Sequence, residues 1–270
     1  MNRSRLTLVG LERLVDQLSE RDLDIVLSLR RLRVATTGQI ERLHFTDGTP
    51  MSNARRCRRT LERLTRDRVL HRLDRRVGGV RAGSASFVYC LGVGGQRLAG
   101  ERGPAGGRRI RRPWTPSGPF LQHALEVSEL YLRLVEYQRH AGFTIERFAT
   151  EPDCWRNYTG AGGERQVVKP DVYAVIVSDM FEDRWFIELD RATESPTKLH
   201  RHAEGYRRYW QSGIEQSRSG IFPKVLFVVP DERRAEVVVK ALTRQPAEAW
   251  QLFQVTTFDR ATSVLAGAEP

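Results

Sequence analysis

Three acids in the segment 169–194, KPDVYAVIVSDMFEDRWFIELDRATE, stand at matching ends of two apolar runs. The runs 172–177 and 185–189 are rich in β-branched and aromatic residues and predict buried strands, with the polar stretch 178–183 joining them as a hairpin. Symmetric closure of that connection places Asp171 opposite Asp190. Opposed residues share a face and side chains alternate along a strand, so Asp171, Glu188 and Asp190 are expected to project together. Three such carboxylates repel one another unless a cation sits among their oxygens. Mg2+ or Mn2+ suits hard oxygen ligands, and either ion activates water or stabilises a leaving phosphate oxygen. The competing reading is a strand end whose acids pair with Arg191, Arg184 or Lys169. The hairpin alone leaves both open.

The elements that must position this hairpin follow from periodicity. A helix over 120–140 carries a stripe of Leu121, Leu125, Leu132 and Val135, and a strand over 143–149 follows it. After the hairpin, Ser195 and Pro196 supply the N-cap and first position of a helix reaching about Gln211, with Leu199, Ala203, Tyr206 and Trp210 as its apolar stripe. Strand 224–229, helix 231–243 and strand 252–257 complete an order α, β, β, β, α, β, α, β, a mixed α/β sheet domain. No GxxxxGK loop occurs, which argues against nucleotide hydrolysis by that route. His200 and His202 diverge by about 200° on a helix, so they cannot share a metal from one face.

The first part of the chain has a different character. The formal charge is +11, yet residues 1–118 hold 25 basic and 11 acidic residues while 119–270 hold 19 and 22. The positive excess therefore belongs to the first part, where arginine carries it, and the planar guanidinium suits phosphate. Short helices over 6–18 and from Ser19, a helix over 38–43, an arginine-rich helix over 52–68, and strands 69–75 and 86–91 around a Gly-rich tip make a winged helix-turn-helix pattern. In the arginine-rich helix Ala54, Cys57, Leu61 and Leu64 form the buried stripe, leaving Arg55, Arg56, Arg58, Arg59, Arg63 and Arg66 on other faces. Those arginines are the expected double-stranded DNA contacts, with Arg75, Arg76 and Arg81 on or near the wing. An arginine-rich helix bound to a protein partner is the alternative. The Gly/Pro/Arg-rich stretch 99–119 reads as a linker between domains 1–98 and 120–270.

No run approaches the roughly 18 apolar residues of a membrane span, so a cytoplasmic, nucleoid- or plasmid-associated protein with no membrane partner is expected. Cys57, Cys90 and Cys154 lack ligand spacing and are odd in number, which suggests buried thiols rather than disulfides or a zinc site.

The αβββαβ order with Pro170-Asp171 and Glu188-Leu189-Asp190 resembles the core of the PD-(D/E)xK nuclease superfamily, a restriction-endonuclease-like fold. That resemblance implies an ion on Asp171 and Glu188, with Glu126 as a helix acid. The motif lysine position holds Asp190, so Lys198 is the displaced amine or the site is inactive. The whole chain is also similar to the replication-relaxation family of plasmids and other mobile elements. The similarity rests on the arginine-rich helix, the helix containing His123, the PD strand, the ELDRATE segment with Lys198-Leu199, and the Tyr206/Tyr209 end. It implies a DNA-binding protein acting in replication or relaxation of DNA; the nuclease-superfamily resemblance adds a second domain that either nicks DNA with a divalent ion or has kept only the fold. The alternative is a regulator or replication initiator whose second domain dimerises or recruits replication or transfer proteins.

Overall fold

The computed structural model describes residues 14, 16–77, 86–101, 116–160 and 162–268. The chain is α/β and forms two compact units, Met1–Leu132 and Arg133–Pro270.

In the first unit Ser19 caps α1 (Glu20–Leu32) through a capping box with Asp22, and Ile25, Val26, Leu29 and Leu32 turn inward. A two-residue strand β1 (Ala35–Thr36) leads into α2 (Thr37–His44), capped reciprocally by Thr36 and Gln39. The arginine-rich helix α3 (Pro50–Arg66) starts two residues before its expected position. Thr49 accepts the Ser52 amide as N-cap and Pro50 takes the first turn, where a missing N–H costs nothing. Strands β2 (Leu70–Val77) and β3 (Ser86–Leu91) pair antiparallel, and β1 adds to β3 in the order β1-β3-β2. The expected helix over 6–18 lies almost wholly outside the described residues.

The residues after β3 are helical, α4 (Val93–Glu101), and this helix runs into the start of the stretch 99–119 expected as a linker. Gly92, just before this helix, and Gly95 within it serve close packing. A Cβ on Gly92 would lie 2.4 Å from the Arg68 carbonyl oxygen, and one on Gly95 would lie 2.3 Å from that of Val69. Most of the expected linker, 102–115, is outside the described residues.

Helix α5 (Gly118–Gln138) follows, and the unit boundary falls inside it. Its first turns belong to the first unit: Leu121, Ala124 and Leu125 share a buried cluster with Val34, Leu73 and Val88. Ser128 Oγ donates to the Val34 carbonyl at 2.7 Å, and Gln39 Nε2 donates to that of Leu125 at 3.1 Å. The apolar stripe of this helix is legible in sequence; the unit it is buried against is not.

The second unit is built on a mixed five-stranded sheet. After β4 (Phe143–Thr150) comes a two-stranded ribbon, β5 (Arg156–Thr159) and β6 (Arg165–Val168), which periodicity did not reveal because each strand has only four residues. The hairpin is β7 (Val172–Ser178) and β8 (Glu182–Leu189). Helices α6 (Pro196–Gln211) and α7 (Ile214–Ser219), strand β9 (Lys224–Val229), helix α8 (Glu232–Leu242), a 3-10 turn (Ala247–Leu252), strand β10 (Phe253–Thr257) and α9 (Ala261–Leu265) follow. The sheet order is β10-β9-β8-β7-β4; the pairs β4/β7 and β7/β8 are antiparallel, and β8/β9 and β9/β10 are parallel.

One face of this sheet, with Tyr173, Val175, Phe186, Val225 and Phe227, packs on Leu199, Ala203, Tyr206 and Tyr209 of α6. Within that core Arg156 lies 4.4 Å over the Tyr173 ring and meets Glu215 at 3.1 Å, while the Tyr209 hydroxyl donates to the same Glu215 oxygen. Arg156 and Glu215 are both buried, so their mutual pairing is what makes burying either charge tolerable.

Candidate functional site

The β7/β8 register differs from the symmetric closure expected from sequence. Val172 pairs with Ile187 and Tyr173 with Phe186, so Asp171 comes level with Glu188 rather than Asp190. The loop is three residues long, Asp179 to Phe181, instead of six, and the register follows from the shorter turn. Two bonds fix the Asp171 end: its amide donates to the Ile187 carbonyl at 3.1 Å, and its Oδ2 accepts the Leu189 amide at 2.8 Å. Alternation then directs Asp171 and Glu188 to the face of the sheet covered by α6, the face of Tyr173 and Phe186.

Asp190 has a separate task. Its Oδ2 receives Arg234 Nε of α8 at 2.5 Å, and its Oδ1 receives the Ala192 amide at 2.8 Å. Ala192 has φ +58°, a left-handed conformation unusual for a residue with a Cβ, and the Asp190 bond holds it there. Arg234 Nη2 also donates to the Glu194 carbonyl at 2.7 Å. Asp190 and Arg234 therefore staple the loop between β8 and α6. Among the described residues no three His, Cys, Asp or Glu side chains are disposed to enclose a metal ion, so the expected convergence of three carboxylates reduces to two.

The stapled loop brings in a residue that sequence reasoning missed. Glu194 Oε1 meets Lys198 Nζ at 2.6 Å, and Glu194 Oε2 lies 3.4 Å from His202 Nδ1. Lys198, His202 and Tyr206 follow one another at four-residue spacing on α6 and so form one row along it. The last of them closes the row onto the sheet, the Tyr206 hydroxyl donating to Glu188 Oε1 at 2.5 Å. Four-residue spacing of Lys, His and Tyr behind the cap Ser195 was the available signal.

The electrostatics agree with this clustering. Withdrawal of water by surrounding protein, then the Asp171 charge, pushes the Glu188 carboxyl well above the usual carboxylate range; Glu194 adds to the rise, while the Tyr206 hydrogen bond and the Lys198 charge oppose it. Burial, followed by Glu188 itself, pushes the Tyr206 hydroxyl well above its ordinary value. The other named residues lie elsewhere. Lys169 Nζ sits 4.7 Å over the Trp155 ring, Arg184 pairs with Glu182, and Glu126 belongs to the part of α5 in the first unit.

In the first unit the α3 arginines divide in two. Cys57, Leu61 and Leu64 are fully buried as expected, with Asn53 rather than Ala54 extending the row. Arg63 Nη2 reaches both oxygens of Asp22 at 2.7 and 2.8 Å, and Arg56 pairs with Asp47 at 2.6 Å and with the Asn53 side-chain oxygen at 2.7 Å. Those two hold α3 to α1 and to the preceding turn. Arg66 is exposed beside Asp67. Arg55, Arg58 and Arg59 are exposed and enter no ion pair among the described residues. Arg75 and Arg76 fall on β2, and Arg81 lies outside the described residues.

These features define an α/β chain with an arginine-faced helix in one unit and a two-carboxylate cluster at sheet-strand ends in the other. The family model of replication-relaxation proteins matches residues 27–225, and the chain belongs to the replication-relaxation family. No curated protein and no solved structure matches it. Among the described residues no helix is long and apolar enough to cross a membrane.

Proposed function

We propose that this chain is a DNA-binding protein of a plasmid or other mobile element, acting in replication or relaxation of DNA. In this reading the first unit is a winged helix-turn-helix that docks α3 on duplex DNA, and the second unit has a PD-(D/E)xK-like fold that nicks it. The observation that carries the nicking activity is the pairing of Asp171 and Glu188 at adjacent strand ends against the Lys198, His202 and Tyr206 row.

The donor set fits Mg2+ or Mn2+. It offers hard carboxylate oxygens at two positions, and ions of this class commonly bind through one or two carboxylates with water and substrate phosphate completing the shell. Asp171 and Glu188 would hold the ion, which when bound supplies charge stabilisation at the phosphate and lowers the pKa of its water. The Leu189 amide and the Tyr206 hydroxyl orient the two carboxyls. Lys198, now closed on Glu194, exchanges that carboxylate for a phosphate oxygen when DNA arrives.

A second reading is favoured by Asp190. It stands where the resemblance expects a lysine, and it is consumed by Arg234. A non-enzymatic regulator or initiator that uses the second unit for dimerisation or recruitment would need nothing more.

Conversion of supercoiled plasmid to nicked or linear forms, with Mg2+, Mn2+ or chelator, decides between them. Metal-dependent cutting by the wild type, lost in Asp171→Asn, Glu188→Gln and Lys198→Ala, is expected. Tight duplex binding with no cutting of any plasmid, including one carrying the element's own origin, selects the regulator.

A further inference from the structure

Once Arg56 and Arg63 are assigned to holding the fold, the outward face of α3 has a definite composition. At about 100° per residue, Met51, Arg55, Arg58 and Glu62 fall within roughly 60° of arc. Arg55 lies nearly opposite the buried row of Asn53, Cys57, Leu61 and Leu64, so it is the side chain that points most directly away from the core. Arg59 and Arg66 flank the stripe on one side.

Two members of this stripe do not belong on a surface meant only for phosphate. Met51 is 77% exposed, and it and Pro50 are the apolar side chains on the exposed surface of a helix whose other exposed residues are polar. Glu62, also exposed, would repel a phosphate. A thioether on an otherwise charged face has a natural counterpart in the major groove, where the thymine C5-methyl group is the apolar feature of the base-pair edges. One turn further on, Arg55 has the fork that matches guanine O6 and N7. The first turns of a groove-docked helix are those that reach base edges, which places Met51 and Arg55 there and leaves Arg59 and Arg66 to the backbone.

We infer that Met51 and Arg55 determine sequence specificity, Met51 by contact with a thymine methyl and Arg55 by two bonds to a guanine, both within one helical turn of α3. This rests on the reading of the first unit as a duplex-DNA binder. The occupant is double-stranded DNA on grounds of charge: Arg55, Arg58 and Arg59 give the face its positive charge, and they are not neutralised by ion pairs among the described residues.

The test uses the full chain and a duplex recovered by selection from a random library. Each thymine in turn is replaced by deoxyuridine, which removes only the methyl group, and each guanine by 7-deazaguanine, which removes only the N7 acceptor. The wild type should lose about three- to tenfold in affinity at one or two deoxyuridine positions, the range for one buried methyl contact, and at one nearby 7-deazaguanine. Met51→Ala should bind thymine and deoxyuridine duplexes equally while keeping the 7-deazaguanine effect, and Arg55→Ala should show the reverse. Met51 and Arg55 are exposed, so both variants should fold. Tight wild-type binding with a flat deoxyuridine scan, or discrimination that survives Met51→Ala, overturns the inference and leaves DNA binding standing. Failure to bind any duplex above background overturns both.

Discussion

The Tyr206 hydroxyl and Glu188 Oε1 lie 2.5 Å apart, and through this bond the covering helix α6 meets the acidic end of the sheet. Tyr206 is fully buried with its pKa raised, so it acts as a fixed donor rather than as a titrating group or an exposed nucleophile. Glu188 is left as the group in the pair whose proton matters.

The raised pKa of Glu188 has a sign that can be measured. The folded state holds this proton more tightly than the unfolded chain, so stability is full below the ordinary carboxylate range and falls as pH rises from there toward the raised value. Glu188→Gln keeps an acceptor for Tyr206 and removes the titration. In chelator, the unfolding free energy of the variant relative to wild type should therefore climb from about pH 4.5 upward, by at most ~1.4 kcal/mol per pH unit in urea titrations. A difference that stays constant with pH would show that Glu188 titrates normally.

Asp190 and Arg234 are both nearly buried, at 4% and 11% side-chain exposure, so removing one strands the other. Asp190→Ala should cost about 3–5 kcal/mol in urea unfolding, whether or not divalent ion is present. Adding Arg234→Met to it should restore most of the loss, since an apolar pair replaces a stranded charge. An Asp190→Ala variant as stable as wild type in chelator would mean that the staple contributes little and that Asp190 is there for another purpose.

The parts of this architecture that were legible in sequence are those with strong local signals. Ser19-Asp22, Ser195-Pro196 and the alternating apolar runs of β7 and β8 announce their elements, and Cys57, Leu61 and Leu64 give the buried row of α3. What escaped depends on contacts far apart in sequence. Asp190 looks like a site acid until Arg234, 44 residues later, is seen beside it. Glu194 looks like a loop acid until the staple presents it to Lys198 and His202. Helix α4 was not anticipated, because the need of Gly92, Gly94 and Gly95 for close approach to the Arg68 and Val69 carbonyls has no local signature. The hairpin register was missed by two residues because a turn of three residues and one of six are both compatible with the same polar stretch.

Arg63 and the exposed arginines of α3 should separate stability from affinity. Asp22 is 1% exposed, caps α1 through Ser19, and relies on Arg63 for its charge partner. Arg63→Ala should destabilise the protein by about 1–2 kcal/mol, less than a fully buried pair because Arg63 itself is 36% exposed on its side chain. Arg55→Ala/Arg59→Ala should leave unfolding unchanged, yet weaken duplex binding and reduce its logarithmic salt dependence by about one unit for each phosphate contact removed. Thermal unfolding and fluorescence anisotropy over a salt series read the two effects independently. If the double variant binds duplex DNA as tightly as wild type at moderate salt, α3 is not the DNA-contacting helix, and the exposed arginine face must serve a protein partner instead.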